Sequence, residues 1–300
     1  MFKSGFVSII GRPNVGKSTL LNQILKQKLT IVTSKPQTTR NKIQGIYTTD
    51  DCQIIFIDTP GIHKAQHELG NVMNKFAIGS LDAIDLVLFV VDASSKKGAG
   101  DDYILEELKK SKVPTILVLN KVDLVQDEEK LKENIESYKE AFNFVGGLTI
   151  SASNGHNIDL LIDKVKNLLD EGPMYYPEDQ LLDQPIRFVV AEMIREKVLL
   201  KTKEEVPHSV AIMIEKFVEP KKENGIVEIY AAIIVDRESQ KKIIIGKKGS
   251  MIKDIGTLAR KDIVNLLGNK VYLELFVKVV PNWRDNKMML RSLGYDPKNT

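Results

Sequence analysis

A glycine-rich segment that directly follows the first apolar run constrains the fold of this chain more than any other feature. Residues 6–10 are apolar and are expected to form a buried strand, and residues 11–19 read GRPNVGKST, with the spacing GxxxxGK[ST]. Two glycines at this spacing let the backbone curl so that its N–H groups point inward and cradle phosphates at the N-terminus of the next helix. The segment therefore predicts the phosphate-binding loop of a P-loop NTPase.

Side chains of this loop carry the predicted phosphate and metal contacts. Lys17 is expected to reach the β and γ phosphates, and the Ser18 hydroxyl is expected to bind Mg²⁺, a hard cation that prefers oxygen ligands. A glycine turn that merely caps a helix would not require a lysine and a hydroxyl at this spacing. The predicted nucleotide-binding residues of the loop are Gly11, Arg12, Pro13, Asn14, Val15, Gly16, Lys17, Ser18 and Thr19.

Further short apolar runs alternate with helical patterns over the first half of the chain. The runs are residues 54–57, 86–91, 115–119 and 148–150, and the helical patterns include residues 17–25 and 103–110. Such alternation is typical of βαβ units. It predicts an α/β domain with a mainly parallel sheet and helices on both faces, whose ligands lie at the carboxyl ends of the strands.

A second, smaller domain is predicted after a proline-containing linker. Residues 171–185 contain three prolines and no apolar period, so we divide the chain into a domain of residues 1–170, this linker, and a domain of residues 186–300 that ends in a C-terminal tail. The second domain is expected to be α+β, because its patterns read helix, strand, strand, helix, helix and strand. These elements are expected at 188–199, 210–217, 227–235, from Ser239, at 250–267 and at 270–279.

Charge is distributed unevenly between the two parts. Residues 1–180 hold 21 Lys and Arg against 24 Asp and Glu, whereas residues 181–300 hold 22 against 16. A basic domain favours polyanions such as nucleic acid or an anionic membrane surface, although a solvated basic face would give the same count. The single cysteine excludes a disulfide framework, and no run reaches the roughly 18 apolar residues of a membrane span, so we expect a cytoplasmic protein.

Recognition of the base is predicted for two short segments that follow the last strands. NKVD, at the end of run 115–119, looks like the guanine-specifying NKxD motif. The Asp123 carboxylate can accept hydrogen bonds from N1–H and the exocyclic amine of guanine, whereas adenine has an acceptor at N1. SAS resembles a loop whose backbone amide reaches guanine O6, although a plain turn after a strand has the same composition. The predicted base contacts are Asn120, Lys121, Asp123, Ser151, Ala152 and Ser153.

Two further segments are predicted to respond to the γ-phosphate. DTPG follows run 54–57 and resembles the DxxG element, in which Asp58 holds Mg²⁺ through water and the Gly61 amide contacts the γ-phosphate. In the polar stretch 35–40, Thr39 is the expected Mg²⁺ hydroxyl and Thr38 the alternative. The predicted metal ligands are Ser18, Thr39 and, through water, Asp58. The predicted nucleotide contacts of DTPG and its neighbour are Asp58, Thr59, Pro60, Gly61 and Ile62.

The first 170 residues resemble the Era-type GTPases of the translation-factor class, because GRPNVGKSTL, PQTTR, DTPG, NKVD and SAS occur in the order expected of that family. GKKG at residues 246–249 strengthens the resemblance, because it lies between two predicted helices and matches the GxxG clamp of a type II KH domain. Two glycines let the main chain approach about four nucleotides of single-stranded RNA, although a GxxG also occurs as a helix cap. The predicted RNA contacts are Gly246, Lys247, Lys248, Gly249, Lys253 and Arg260, and Lys261 extends the basic surface.

The resemblance implies a GTP-binding and GTP-hydrolysing protein that binds the 3′ end of small-subunit ribosomal RNA and acts in maturation of the small ribosomal subunit. It also implies peripheral association with the inner face of the cell membrane, and we expect a monomer. The alternative is a signalling GTPase whose basic domain binds membrane lipid or a protein partner. A P-loop kinase matches poorly, since it would have no NKVD.

Hydrolysis is expected to depend on Lys17, Thr39, Gly61 and Asn14. Lys17, Mg²⁺ and backbone amides would neutralise charge on the γ-phosphate. Ile62 stands where Ras-like GTPases have a glutamine that orients the attacking water, so we expect slow intrinsic turnover. Related GTPases with an asparagine at the position of Asn14 suggest that it helps to bind K⁺, which would act in place of an arginine finger.

Overall fold

A computed structural model describes residues 1–33, 35, 38–61, 67–79, 83–220, 222 and 225–295, and within them the first half of the chain forms one six-stranded sheet. Its strands are β1 (Lys3–Ile10), β2 (Ile43–Thr49), β3 (Cys52–Asp58), β4 (Leu86–Asp92), β5 (Thr115–Asn120) and β6 (Gly146–Thr149). They lie in the order β2-β3-β1-β4-β5-β6. β2 is antiparallel to β3 and the other neighbouring pairs are parallel, which confirms the predicted mainly parallel sheet.

Two strands differ from the apolar runs in the sequence. β6 begins two residues before run 148–150, because Gly146 and Gly147 pair with Ile116 and Leu117 of β5, and backbone pairing requires no apolar side chain. β2 has no counterpart among the runs, since only part of it is apolar. It joins β3 through a two-residue turn and forms one edge of the sheet.

Helices cover both faces of this sheet, as predicted. They are α1 (Lys17–Leu25), α2 (Glu68–Gly79), α3 (Ala99–Ser111), α4 (Glu128–Ala141) and α5 (Ile158–Leu168). Apolar residues of α1 and α5 surround Val7 of β1 on one face, and those of α3 and α4 surround Phe89 of β4 on the other. Val7 and Phe89 are fully buried, and burial of each such side chain stabilises the fold by about 2 kcal/mol.

The carboxyl ends of the parallel strands lie side by side, and the predicted nucleotide contacts follow them. β1 leads directly to Gly11, β3 ends at Asp58 and β5 ends at Asn120. β1 lies between β3 and β4, and β5 follows β4 in the sheet order. The loops after these strands therefore converge on one place, where ligands of such sheets bind.

The second half of the chain contains a three-stranded sheet covered by helices on one face. Its elements are α6 (Ile186–Lys201), β7 (Ala211–Val218), β8 (Ile226–Val235), α7 (Glu238–Ile245), α8 (Ser250–Leu267), β9 (Lys270–Val279) and α9 (Lys287–Ser292). β8 pairs antiparallel with β7 and parallel with β9. Buried side chains of α6, α7 and α8 pack on one face of the sheet, in the helix and strand order that the sequence predicts.

The other face of the small sheet packs against α2 of the first half. Leu69 and Met73 of α2 are buried in one cluster with Ala232 of β8 and Trp283, whose indole N–H donates to Ser209 O at 3.0 Å. The side chain of Asp285 caps α2, because its Oδ1 accepts the Glu68 N–H at 3.0 Å. The helix that follows DTPG is thus held by residues from the second half of the chain.

Residues 171–185, the predicted linker, run along the edge of the large sheet. Ile46 of β2 donates its N–H to Leu181 O at 2.9 Å, and the Asp183 N–H donates to Gln44 O at 3.1 Å. Gln53 of β3 accepts the backbone N–H groups of residues 175 and 176. The domain boundaries at 170 and 186 stay a prediction. None of the helices in the described ranges is long and apolar enough to cross a membrane.

Candidate nucleotide-binding site

The backbone of the loop at residues 11–19 leaves room for glycine alone at two positions. A Cβ atom on Gly11 would lie 2.2 Å from the carbonyl oxygen of Val90. Gly16 has φ +100°, and a Cβ there would lie 2.2 Å from Nδ2 of Asn120. Because left-handed backbone and close contact both exclude larger residues, the glycines of the motif are required by the loop's shape.

Lys17 is buried within the loop that it is predicted to serve. Its Nζ donates to Gly11 O and to Arg12 O, each at 2.9 Å. Burial lowers the pKa of Lys17 to about 8, and attraction to the Asp58 carboxylate opposes this shift. The ammonium group is therefore fixed by backbone carbonyls at the base of the phosphate-binding loop, where a phosphate would further favour its charged form.

Three oxygen-bearing side chains predicted as metal ligands lie in contact with one another. Ser18 Oγ donates to Asp58 Oδ2 at 2.6 Å and lies 2.8 Å from Thr39 Oγ1, which is 3.5 Å from the same carboxylate oxygen. Burial raises the pKa of Asp58 to about 6, against the attraction of Lys17. The alternative ligand Thr38 is engaged elsewhere, since its hydroxyl bonds Thr33 Oγ1 and Lys35 O, each at 2.7 Å.

This donor set fits Mg²⁺. Asp58 Oδ1 is buried without a hydrogen-bond partner in the described part of the chain, so the carboxylate has an oxygen to offer. In the same residues no group of three or more His, Cys, Asp and Glu side chains could hold a metal. A cation here would depend on hydroxyls, one carboxylate and the nucleotide's phosphates, which is how Mg²⁺ is usually bound in phosphate sites.

A cavity of about 310 Å³ opens between the loop and the segment that carries Thr39. Three of its lining residues, Ile31, Val32 and Thr33, were not among the sequence candidates, because a short segment after a helix carries no phosphate motif. The cavity is lined by Pro13, Asn14, Gly16, Lys17, Ser18, Thr19, Ile31, Val32, Thr33, Thr38, Thr39, Gly61 and Lys121.

Asn120 connects the two base-recognition segments to the phosphate loop. Its Nδ2 donates to Val15 O at 2.8 Å, and its Oδ1 accepts the Ala152 N–H at 2.9 Å. Lys121 has φ +65° and pairs with Asp92 at 2.7 Å. Asp123 lies in the following turn, and its side chain is exposed, so the carboxylate is accessible to a nucleotide base. Asn120 thus organises the site through protein contacts.

Several other predicted contacts support the loops. Arg12 directs its guanidinium to the buried Asp101 of α3, at 2.8 Å, and Thr59 Oγ1 donates to Ile9 O at 2.9 Å. A Cβ on Gly61 would lie 2.7 Å from Pro13, so DTPG packs directly on the phosphate loop. Pro60 is buried, and Ser151 Oγ lies 3.1 Å from Ser153 Oγ. Ile62, and residues 36 and 37 of the stretch 35–40, lie outside the described residues.

The predicted RNA contacts form a separate surface between α7 and α8. Gly246 and Gly249 have φ +72° and φ +77°, and Lys247 and Lys248 between them are exposed. A Cβ on Gly246 would lie 2.7 Å from Cβ of Met251. Along α8 the predicted contacts Lys253 and Arg260, and the neighbouring Lys261, are exposed at spacings that place them on one face of the helix.

Residues from the second half of the chain also reach the segment that carries Thr39. Arg195 of α6 donates from Nη2 to Thr38 O. Arg40 donates from Nη1 to Val210 O at 2.6 Å. The Arg40 guanidinium also lies 5.9 Å from the Trp283 ring centroid. Nothing in the sequence pattern indicates these contacts, because each joins residues more than 150 positions apart.

Two protein families match this chain, one in the half that forms the large sheet and one in the half that forms the small sheet. The family model described as 50S ribosome-binding GTPase matches residues 6–121, and the KH domain model matches residues 205–284. With the topology above, these matches confirm the predicted fold class of a P-loop GTPase domain followed by a KH domain.

Known proteins resemble the chain over its whole length. It is 55% identical to GTPase Era of Leuconostoc citreum (strain KM20) over 300 residues, which are 99% of this chain and 98% of that protein. A tyrosine-to-alanine variant of Aquifex aeolicus Era bound to GDP and AlF4− is 40% identical, with a TM-score of 0.94, covering 98% of this chain and 99% of that one. Era in complex with MgGDPNP and nucleotides 1506–1542 of 16S ribosomal RNA gives the same identity, TM-score and coverage.

Proposed function

Since this chain belongs to the Era GTPase family, we propose that it is a GTP-hydrolysing switch that binds single-stranded RNA at the 3′ end of small-subunit ribosomal RNA and acts in maturation of the small subunit. The observation that carries the proposal is a nucleotide site and a GxxG loop within one chain that matches Era over 98% of its length. The solved Era complex contains both MgGDPNP and that part of the RNA.

GTP is the substrate and Mg²⁺ the cofactor. Backbone N–H groups of the loop would bind the phosphates. Lys17, which donates to Gly11 O at the base of the loop, would place its ammonium on the β and γ oxygens. Ser18 and Thr39 would hold Mg²⁺ directly and Asp58 through water, and the ion would supply positive charge beside the γ-phosphate. The Gly61 amide, which packs on the phosphate loop, would contact the γ-phosphate.

Asn14 would supply a ligand for K⁺ beside the phosphates. It lines the cavity with φ +65°, so its side chain is presented from a left-handed turn of the phosphate loop. Ile62 has no hydrogen-bonding group with which to orient water, so intrinsic turnover is slow and a second cation would offset part of that loss.

Hydrolysis is therefore expected to be faster in K⁺ than in Na⁺ by about tenfold or more at matched ionic strength. Phosphate release at saturating GTP and Mg²⁺ measures the effect, and Asn14→Ala should remove the difference between the two salts. GDP affinity, measured in both salts, serves as the control. Equal rates in K⁺ and Na⁺ buffers would remove Asn14 from this role.

The GxxG loop would clamp the RNA backbone. Glycine at both ends lets main chain come within hydrogen-bonding distance of sugar and phosphate, and the exposed Lys247 and Lys248 add charge. The loop also leads into the N-terminus of α8, whose first backbone N–H groups favour a phosphate. Lys253 and Arg260 extend the basic surface along that helix.

Gly249→Asp tests the clamp, and the chain provides a matched control. We expect it to weaken binding of a single-stranded RNA with the 3′-terminal small-subunit sequence by about thirtyfold or more, since a carboxylate would face the phosphates. Gly268→Asp makes the same change at the other end of α8, where φ is +68° and a Cβ also meets nothing within 4 Å. Fluorescence anisotropy measures both affinities.

Equal RNA affinity for the two variants would contradict the clamp. If neither variant nor the unchanged chain bound RNA, while all bound anionic lipid vesicles or a protein, the signalling GTPase would be the better description. We place the protein in the cytoplasm as a monomer, with peripheral association at the inner face of the cell membrane; sedimentation with vesicles of anionic lipid tests that association.

A further inference from the structure

Residues on both sides of Thr39 are fixed to the second half of the chain. Before it, Thr38 O accepts a hydrogen bond from Arg195 Nη2. After it, Arg40 enters the second half, where its Nη1 donates to Val210 O at 2.6 Å and its Nη2 to Pro207 O at 3.3 Å. Thr39 therefore lies on a short piece of backbone that is attached at each end.

Arg195 is itself held rigidly. Its side chain is fully buried, and it forms a two-pronged pair with Glu192, at 2.8 Å from Nε to Oε1 and 2.5 Å from Nη2 to Oε2. The same helix buries Val190 and Ile194 in the core of the second half. A planar guanidinium fixed in this way presents its donor to Thr38 O with little freedom.

The residue after Arg195 in α6, Glu196, contacts the chain that leads from α1 to Thr38. Glu196 accepts the Val32 N–H at 3.0 Å with one oxygen and Lys28 Nζ at 2.6 Å with the other. Val32 lines the cavity in which Thr39 lies. Consecutive residues of α6 thus contact the backbone at Val32 and at Thr38, two residues that line the cavity.

We propose that Arg195 is a positioning residue for GTP hydrolysis: from α6, in the second half of the chain, it holds Thr38 O and so places Thr39 Oγ1 beside Ser18 and Asp58. The inference rests on the proposed function. In GTPases this segment is ordered through the γ-phosphate and Mg²⁺, so a residue that fixes it in advance lowers the ordering cost of the GTP state alone. GDP binding, which does not use Thr39, is left unaffected.

Contacts elsewhere keep the two halves together when Arg195 is changed. The apolar cluster of α2 with Ala232 and Trp283 is remote in sequence from α6, and so is the cap of α2 by Asp285. Replacement of Arg195 therefore removes the attachment to Thr38 O while the other contacts between the halves remain.

Arg195→Gln in the full chain tests the proposal, with Arg187→Gln as the matched control. Arg187 is on the same helix, is exposed, and donates to Phe217 O within the second half. We expect Arg195→Gln to lower kcat for GTP by about thirtyfold and to raise the Mg²⁺ concentration for half-maximal rate, with GDP affinity unchanged. Arg187→Gln should behave as the unchanged chain.

A second variant separates positioning from folding. Loss of Arg195 alone leaves Glu192 buried and unpaired, which is strongly destabilising. Replacing both residues with methionine removes the two charges together, and buried pairs commonly tolerate this exchange. The double variant should fold with a melting temperature close to that of the unchanged chain and show the same loss of kcat.

Two results would overturn the proposal. One is a double variant that hydrolyses GTP with unchanged kcat and Mg²⁺ dependence. The other is a double variant in which GTP affinity, GDP affinity and the melting temperature all fall in parallel, which indicates a structural role only. If the unchanged chain failed to hydrolyse GTP, the proposed function itself would fail, whatever the variants did.

Discussion

Replacing Asp123 with asparagine is expected to invert the nucleotide preference of this protein from GTP to XTP. The carboxylate would accept two hydrogen bonds from the guanine edge, whereas an amide offers one acceptor and one donor, and the donor would face the exocyclic amine of guanine. The mismatch costs about 3 kcal/mol, roughly a hundredfold in affinity. Xanthine has a carbonyl in place of that amine and so matches the amide. Displacement of a fluorescent guanine nucleotide by GTP, XTP and ATP measures the three affinities.

Asp127→Asn is the matched control for that change. Asp127 lies four residues farther on and caps α4 by accepting the N–H groups of Glu129 and Lys130, a role that asparagine performs equally well. The control should keep its preference for GTP. If Asp123→Asn also kept that preference, or if the unchanged protein bound ATP as tightly as GTP, the assignment of NKVD to guanine recognition would be wrong.

Replacing Lys17 with methionine is expected to lower kcat/KM for GTP by about a thousandfold. Methionine has similar length but no charge, so the β and γ oxygens lose their cation, and the carbonyls of Gly11 and Arg12 lose their donor. Phosphate release measures the rate, and binding of a fluorescent GTP analogue separates loss of affinity from loss of turnover.

Lys26→Met makes the same substitution at the exposed C-terminal end of α1 and should leave the rate unchanged. A loss in kcat/KM smaller than tenfold for Lys17→Met would show that the backbone amides alone supply most of the phosphate interaction. The proposed role of Lys17 in charge neutralisation would then be rejected.

The sequence predicts the large sheet well because a strand buried on both faces must be apolar along its length. Residues 86–91 and 115–119 are such runs, and they lie in β4 and β5. β2 is different, because its partly exposed residues include Gln44, Thr48 and Thr49, which are polar. Its pairing partner is set by the turn that joins it to β3. Edge strands of this kind carry too little apolar pattern to be identified by it.

The phosphate loop could also be predicted, because a few backbone requirements fix its residues at close spacing. The contacts of Arg195 and Arg40 could not, since a hydrogen bond from a buried arginine to a distant backbone carbonyl depends on how the two halves dock. Asn120 stays a predicted base contact, and its amide also joins Val15 O and the Ala152 N–H. A sequence motif identifies such a residue without distinguishing whether it contacts ligand or protein.

The path of residues 181–183 along β2 has a consequence for the behaviour of the protein at high concentration. A strand at the border of a sheet exposes unpaired N–H and C=O groups, which can recruit a strand from another molecule and begin aggregation. Here the N–H of Ile46 and the carbonyl of Gln44 are already bonded to the chain's own backbone. The opposite border, β6, is only four residues long. The same short stretch that connects the two halves therefore also shields the sheet from self-association.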